Sequence, residues 1–324
     1  MKDIDQIKEP VKDELIEFEK FFRNCLKSSI PLLDIITRYL IRRKGKQIRP
    51  AMVLLSASML GTINESTYTA ASLIELLHTA SLVHDDVVDE SYERRGYFSL
   101  KALWNSKLAV LTGDFLLAKG LLVSLERKEY QLLEIVSEAV REMSEGEIMQ
   151  IQKIRNLNLS MEDYFEIIRK KTAALLSACA ASGAKSVNAT EEDILRMKQF
   201  GEYTGLAFQI KDDLLDYQID GKTGKTMMND IKEKKMTLPL LFSLHEGSGL
   251  NKRKIRKLIQ KENYNLEKID EIISFVKRSG GLDYAERMMI VYKNKAIEIL
   301  MTFPDNSSRR ALARLVDYVT FRNY

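Results

Sequence analysis

The sequence predicts an all-α protein, a large helical bundle forming one domain over 1–324. Three observations carry this: apolar residues recur at three- and four-residue spacing almost throughout, strict alternation is nearly absent, and only 5 prolines and 15 glycines punctuate 324 residues. Hydrophobic residues make up 45% and charged residues 30%, the balance of a folded globular chain rather than a disordered one. The formal net charge is only +4, with Lys and Arg interleaved among Asp and Glu. That pattern leaves no nucleic-acid footprint.

Leu15, Phe18, Phe22 and Leu26 trace one helical face. Leu32, Ile35, Ile36, Tyr39 and Leu40 trace another, which begins just after Pro31, a residue suited to a first helical turn. In 65–92 the apolar residues Ala70, Leu73, Ile74, Leu76, Leu77, Ala80, Leu82, Val83 and Val87 cover most of the helix circumference. A helix that is apolar all round is buried. Segments 163–182 and 193–217 read the same way, and 251–324 is more amphipathic, as outer helices are. Polar breaks near 43–50, 92–106, 153–161, 184–191, 218–236, 245–251 and 302–308 separate the helices by short links. No fixed-period repeat and no Pro-, Gly- or Ser-rich linker divides the chain.

Cys25 and Cys179 lie far apart and outside any metal-ligand spacing, so both are expected to be free thiols of a cytoplasmic protein. The N-terminal MKDIDQIKEPVKDELIEF lacks the apolar run of a signal peptide. No stretch is expected to approach a membrane span, so no integral membrane segment is predicted.

The chemistry lies in two aspartate triplets. HDDVVDE carries Asp85, Asp86 and Asp89, and KDDLLDY carries Asp212, Asp213 and Asp216. Positions i and i+4 share a helix face, which stacks Asp85 over Asp89 and Asp212 over Asp216. Like charges so placed repel unless a cation lies between them, and an all-oxygen donor set without His or Cys selects magnesium-type ions. One such motif alone is as often a solvated acidic helix end. Two copies, each continuing an apolar helix, argue against that. Cations cluster nearby: Lys46 and Arg49 in GKQIRP, Arg94 and Arg95 in ERRG, then Lys225 and Lys235. Bidentate Arg and point-charge Lys are the side chains that hold diphosphates.

On these motifs, the chain resembles the polyprenyl diphosphate synthase family of trans-prenyltransferases. The resemblance also runs through VLTGDFLLA (110–118), the GE and Gln150 of EGEIMQ, KKTAALLSACA (170–180), GLAFQIKDDLLDY (205–217) and DIKEKKMTLPL (230–240). It implies a helical bundle of isoprenoid synthase type with a central substrate cavity, a homodimer, and three magnesium ions per site. It implies that isopentenyl diphosphate is added to an allylic diphosphate, farnesyl or geranyl. It implies products that enter isoprenoid biosynthesis and are delivered to a membrane. By matched position, Asp85, Asp86, Asp89, Asp212 and Asp216 would hold the metal, and Asp213 joins the catalytic set. Arg94, Lys171, Lys225 and Lys235 would contact the allylic diphosphate; Lys46, Arg49, His78 and Arg95 would bind isopentenyl diphosphate. Thr172 and Gln209 would face the allylic carbocation beside the Lys171 carbonyl.

The family's pair of glycines before the first lysine is Lys44-Gly45 here, and its glycine before the later lysine is Lys234. Each change adds positive charge beside a phosphate site. His84 and His245 have no role legible in the sequence. In this family a bulky aromatic just before the first triplet shortens the product, whereas this chain has Ala80 and Ser81. With roughly 5.4 Å per helical turn, close to one extended isoprene unit, the resemblance implies a long product of about six to ten units. Leu77 is the next obstruction, and Leu117 or Leu121 on a facing helix could form the floor. The rival readings are a short-chain farnesyl or geranylgeranyl synthase, a terpene cyclase, and a non-catalytic subunit of a heteromeric synthase. A cyclase needs no GKQIRP, and a degenerate subunit loses aspartates that this chain keeps.

Overall fold

The computed structural model describes residues 2–42, 45–94, 96–156, 159–218, 235–246, 249–260 and 266–321. Sixteen α-helical segments lie among the described residues, with one two-residue antiparallel ribbon in which Glu93 pairs with Phe98 and Arg94 with Tyr97. The all-α expectation is met. The chain divides into two compact units.

The first unit comprises 1–140, 175–201 and 299–315. It holds α1 (Lys2–Lys8), α2 (Lys12–Cys25), α3 (Pro31–Arg42), α4 (Ile48–Leu60), α5 (Glu65–Val88), α6 (Leu100–Leu103) and α7 (Ser106–Glu126). The second comprises 141–174, 202–298 and 316–324. Most of α8 (Tyr130–Asn156), all of α9 (Met161–Ile168) and the end of α11 (Glu191–Leu215) belong to it, whereas most of α10 (Ala174–Ser186) belongs to the first. The second unit continues with α12 (Leu238–Glu246), α13 (Gly249–Gln260), α14 (Leu266–Arg278) and most of α15 (Gly281–Met301), while α16 (Ser307–Phe321) is shared.

Local chemistry sets the helix ends. Pro31 opens α3. Asn64 caps α5 in a reciprocal box, its side chain accepting from the Thr67 N–H while Thr67 accepts from the Asn64 N–H. The links at 26–30, 61–64, 127–129 and 279–280 are not among the polar breaks read from the sequence. They are short, and Lys128 and Gly280 turn the chain at positive φ.

Helix α5 is buried around most of its circumference from Thr67 to Ala80, as expected. The expectation for 193–217 holds only in part: Thr204, Leu206, Ala207 and Ile210 are buried, but Leu195 is 59% exposed. On α3, Ile36 is buried while Leu32 and Ile35 stand open. Helix α7 corrects another expectation, because it is long and apolar enough to cross a membrane by length and composition. Asp114 and Lys119 are its only charged residues from Leu108 to Leu125. It packs along α5, where Gly120 makes room for the Leu73 side chain: a Cβ there would stand 3.1 Å from Leu73 Cδ1.

In the second unit, Leu206, Ala207 and Ile210 of α11 pack with Tyr164 and Ile168 of α9, Leu238 and Leu241 of α12, and Ala285 and Met289 of α15. Helices α13 and α14 each bury one face against α12, through Ile255, Ile259, Ile272 and Val276.

Candidate active site

The first triplet closes α5. Asp85 and Asp89 are exposed, while Asp86 between them is 8% exposed. The shared face of Asp85 and Asp89 follows from their spacing, and the Asp89 N–H donates to the Asp85 carbonyl at 2.8 Å. Three carboxylates thus gather at a helix C-terminus, where the macrodipole is already negative and favours cations. Glu90 then takes positive φ and ends the helix.

His84, for which the sequence offers no role, has a definite seat. Its Nε2 lies 3.2 Å from the Val110 carbonyl and 3.5 Å from Asp114 Oδ1. A Cβ on Gly113 would stand 2.2 Å from that nitrogen, so the glycine of VLTGDF makes room for the ring. The imidazole therefore ties the last turns of α5 to α7.

Arg49 sits in the first turn of α4, and Lys46 is exposed just before it. Burial pushes the Cys179 thiol up to about 12, while Arg49 pulls it down and Glu75 raises it. Glu75 lies about one turn before His78 on α5. Cys25 and Cys179 are both free thiols. Ala80 is fully buried in a cluster with Leu26, Leu76 and Leu116, flanked by Phe22, Phe115 and Leu117. Ser81 is half-buried, and its hydroxyl donates to the His78 carbonyl. Leu77 is 7% exposed and Leu121 is 43% exposed, so of the two suggested floor residues Leu117 is the one packed beside Ala80.

The second triplet belongs to the other unit. Asp212 is half-buried, while Asp213 and Asp216 are 4% and 9% exposed. Beside it, residues Arg169–Ala173 form a π turn between α9 and α10, a widening that recurs at functional sites. Two glycines admit it. A Cβ on Gly146 of α8 would lie 2.8 Å from the Lys171 nitrogen, and one on Gly205 of α11 would lie 2.5 Å from Ala173 Cα. Three acidic residues of α8 engage the three cations of the turn: Glu142 with Arg169, Glu145 with Lys170 and Glu147 with Lys171. Lys171 also donates to Gln150 Oε1 at 3.2 Å. The Lys170 ammonium holds Glu145 below the usual carboxylate range.

From the turn a hydrogen-bond chain runs inward. Thr172 donates to Gln209 Oε1 at 2.8 Å, and Gln209 Nε2 donates to Asp213 Oδ1 at 3.2 Å. Asp213 Oδ2 accepts from the Tyr164 hydroxyl at 2.7 Å and from the Leu238 N–H at 2.9 Å. Next to this, the Tyr217 and Thr237 hydroxyls bond at 2.7 Å. The Thr172–Gln209 pair read from the sequence is thus in contact, whereas Tyr164 and the Leu238 amide were missed. A tyrosine at an apolar helical position reads as core, and a backbone N–H leaves no signature. Lys235 is half-buried three residues before Leu238. Lys44, Arg95, Lys225, Lys234 and the Arg94 side chain lie outside the described residues.

Among the described residues, no three His, Cys, Asp or Glu side chains form a ready-made metal cage. Magnesium does not ask for one. It takes one or two carboxylates and completes its shell with phosphate oxygens and water, and the exposed Asp85–Asp89 pair fits that demand.

The polyprenyl synthetase family profile matches residues 30–276. The chain is 34% identical to the octaprenyl diphosphate synthase of Escherichia coli over 299 residues, covering 92% of each. It is similar to the crystal structure of a polyprenyl synthase from Caulobacter crescentus complexed with calcium and isoprenyl diphosphate, with a TM-score of 0.89, 32% identity and 98% of each chain covered. It is also similar to a geranylgeranyl pyrophosphate synthase from Bacteroides thetaiotaomicron, with a TM-score of 0.84 and 38% identity over 99% of this chain and 100% of that one.

The glycine contacts give a sign test. Gly→Ala inside a helix normally gains about 1 kcal/mol of propensity. At Gly205 the added methyl meets backbone, and overpacking of that kind costs about 1–3 kcal/mol. Gly205→Ala should therefore lower the unfolding free energy in a denaturant titration. An unchanged or raised midpoint would contradict the packing described.

Proposed function

The chain belongs to the polyprenyl synthetase family, and from that premise we propose that it condenses isopentenyl diphosphate with an allylic diphosphate, farnesyl or geranyl, in a magnesium-dependent reaction. Prenyl diphosphate synthesis is the activity of its relatives over nearly their whole length, and the product is a long-chain all-trans polyprenyl diphosphate. The observation that carries the assignment is the exposed Asp85–Asp89 pair at the negative end of a buried apolar helix.

Asp85, Asp86, Asp89, Asp212 and Asp216 would hold the magnesium ions, three on the family pattern. Bound there, magnesium supplies positive charge to the departing diphosphate. On the family pattern, Arg94, Lys171, Lys225 and Lys235 would contact the same diphosphate. Lys171 reaches it by exchanging its Glu147 carboxylate for phosphate oxygens. Lys46, Arg49, Arg95 and His78 hold isopentenyl diphosphate. In the reaction the allylic C–O bond breaks, with the electron pair leaving on diphosphate. The isopentenyl double bond then forms the new C–C bond, and a proton is lost to the released diphosphate.

The growing tail runs back along α5, past Ser81 toward Leu77. Ala80 is small because α2 and α7 pack against it, which makes Ser81 the position that governs length. The test is incubation with labelled isopentenyl diphosphate and farnesyl diphosphate, followed by chromatography of the products. Wild type should yield long chains, and Ser81→Phe shorter ones at comparable consumption of primer. Asp85→Ala or Asp212→Ala should lower turnover by at least about 100-fold with the helices intact, since the metal charge that stabilises the departing diphosphate is lost. Near-normal turnover in either aspartate variant refutes the metal assignment. A wild type that stops at geranylgeranyl diphosphate refutes the long-chain reading.

The active form is a homodimer. Leu111, Ala118, Leu122 and Leu125 form an exposed stripe along α7, with Val110 and Leu121 beside it. A second copy covers such a stripe in the commonest closed symmetry. Light scattering at micromolar concentration should give twice the chain mass, and Leu122→Glu should reduce it toward one. A monomeric wild type contradicts the assembly.

A further inference from the structure

We propose that Asp213 is a positioning residue that sets the direction of the Thr172–Gln209 hydrogen-bond chain, so that Thr172 presents lone pairs rather than a proton to the reacting carbon. The inference deepens the synthase reading and rests on it.

The argument starts from what each group can give. The Leu238 N–H can only donate, and Asp213 Oδ2 accepts it while also accepting the Tyr164 hydroxyl. A carboxylate used this way has acceptors alone to offer to Gln209. The Gln209 amide has two ends, one donor and one acceptor, and either could face Asp213. Only the NH2 end makes a bond there, which leaves the carbonyl end to face Thr172. The Thr172 hydroxyl then spends its single proton on Gln209 Oε1. What remains on Thr172 Oγ1 is lone-pair density.

That polarity matters for the proposed chemistry. Loss of diphosphate leaves positive charge on an allylic carbon, which a lone pair stabilises and an O–H proton opposes. Preorganised dipoles act where charge develops, without reorganisation at the moment of reaction. The direction of a hydroxyl one residue beyond Lys171 is thus fixed from two side chains away, by a group buried beyond Gln209. Asparagine at 213 has nearly the same shape but removes that compulsion. Its NH2 can donate to Gln209, the Gln209 amide can turn over, and its NH2 then takes up the Thr172 lone pair. Asp213 differs in this from Asp85 and Asp89, which are exposed.

The experiment is a double-mutant cycle on the full-length protein with Asp213→Asn and Thr172→Val. Each variant is measured for kcat, KM of both diphosphates and the magnesium concentration at half-maximal rate. Asp213→Asn should lower kcat by about 30- to 100-fold, with both KM values and the magnesium midpoint within about threefold of wild type. Thr172→Val in the Asp213→Asn background should cost less than about threefold further, because the lone pair is already misdirected. Tyr164→Phe, which removes one donor and leaves the direction intact, should stay within about fivefold of wild type. Multiplicative losses in the double variant, or a raised magnesium midpoint in Asp213→Asn, overturn the proposal. Where Asp213→Asn does not fold, or wild type shows no condensation, neutron diffraction of the deuterated wild type reads the same feature. Deuterons of Gln209 Nε2 on the line to Asp213 and of Thr172 on the line to Gln209 Oε1 are expected. The reverse arrangement overturns the proposal independently of activity.

Discussion

A carboxylate removed from water must find donors, and the burial of Asp213 imposes that demand on four segments at once. The effective penalty for burying a charged group is several kcal/mol, while a hydrogen bond to a charged group returns about 1.5–3. Two or more donors are therefore needed, and α9, α11 and the first turn of α12 supply them through Tyr164, Gln209 and the Leu238 amide. The π turn joins through Thr172. Its wider backbone is admitted only because Gly146 and Gly205 carry no Cβ. Polar satisfaction and close packing thus hold the same few residues, and the cations of the turn are held beside them by α8.

The exposed aspartates obey a different balance. Like charges at i and i+4 on a surface destabilise a helix by only about 0.2–0.5 kcal/mol, which the buried circumference of α5 easily tolerates. Asp85 and Asp89 are both exposed, and the negative end of α5 adds to their attraction for positive charge. Exposed Asp85 and Asp89 and buried Asp213 thus stand in different surroundings within motifs of the same spacing.

Much of this was legible in the sequence, for physical reasons that can be named. Helical periodicity is strong where burial is strong, which is why α5 and α10 were read from their apolar runs. The aspartate spacing gave the shared face of Asp85 and Asp89 directly. The short turn at 61–64 was passed over because Gly61 and the Asn64 cap suffice to end one helix and start the next. The apolar run of α7 was underread because Asp114 and Lys119 interrupt it. Tyr164 was hidden because a phenol uses its apolar body for packing and only its tip for hydrogen bonding. The separate character of Asp213 was hidden because spacing places a residue on a face but does not say what meets it there. The seat of His84 needed Gly113, which lies on another helix.

The central claim is that the exposed aspartates form a site for cations that is completed by a diphosphate. Calorimetric titration of magnesium, with and without an unreactive allylic thiodiphosphate, tests it without requiring turnover. Coupling between two ligands is reciprocal, so magnesium should bind at least about tenfold more tightly with the analogue present, and the analogue more tightly with magnesium. Asp85→Asn should abolish that mutual gain. Equal magnesium affinity in the presence and absence of the analogue, or an undiminished gain in Asp85→Asn, would contradict the account.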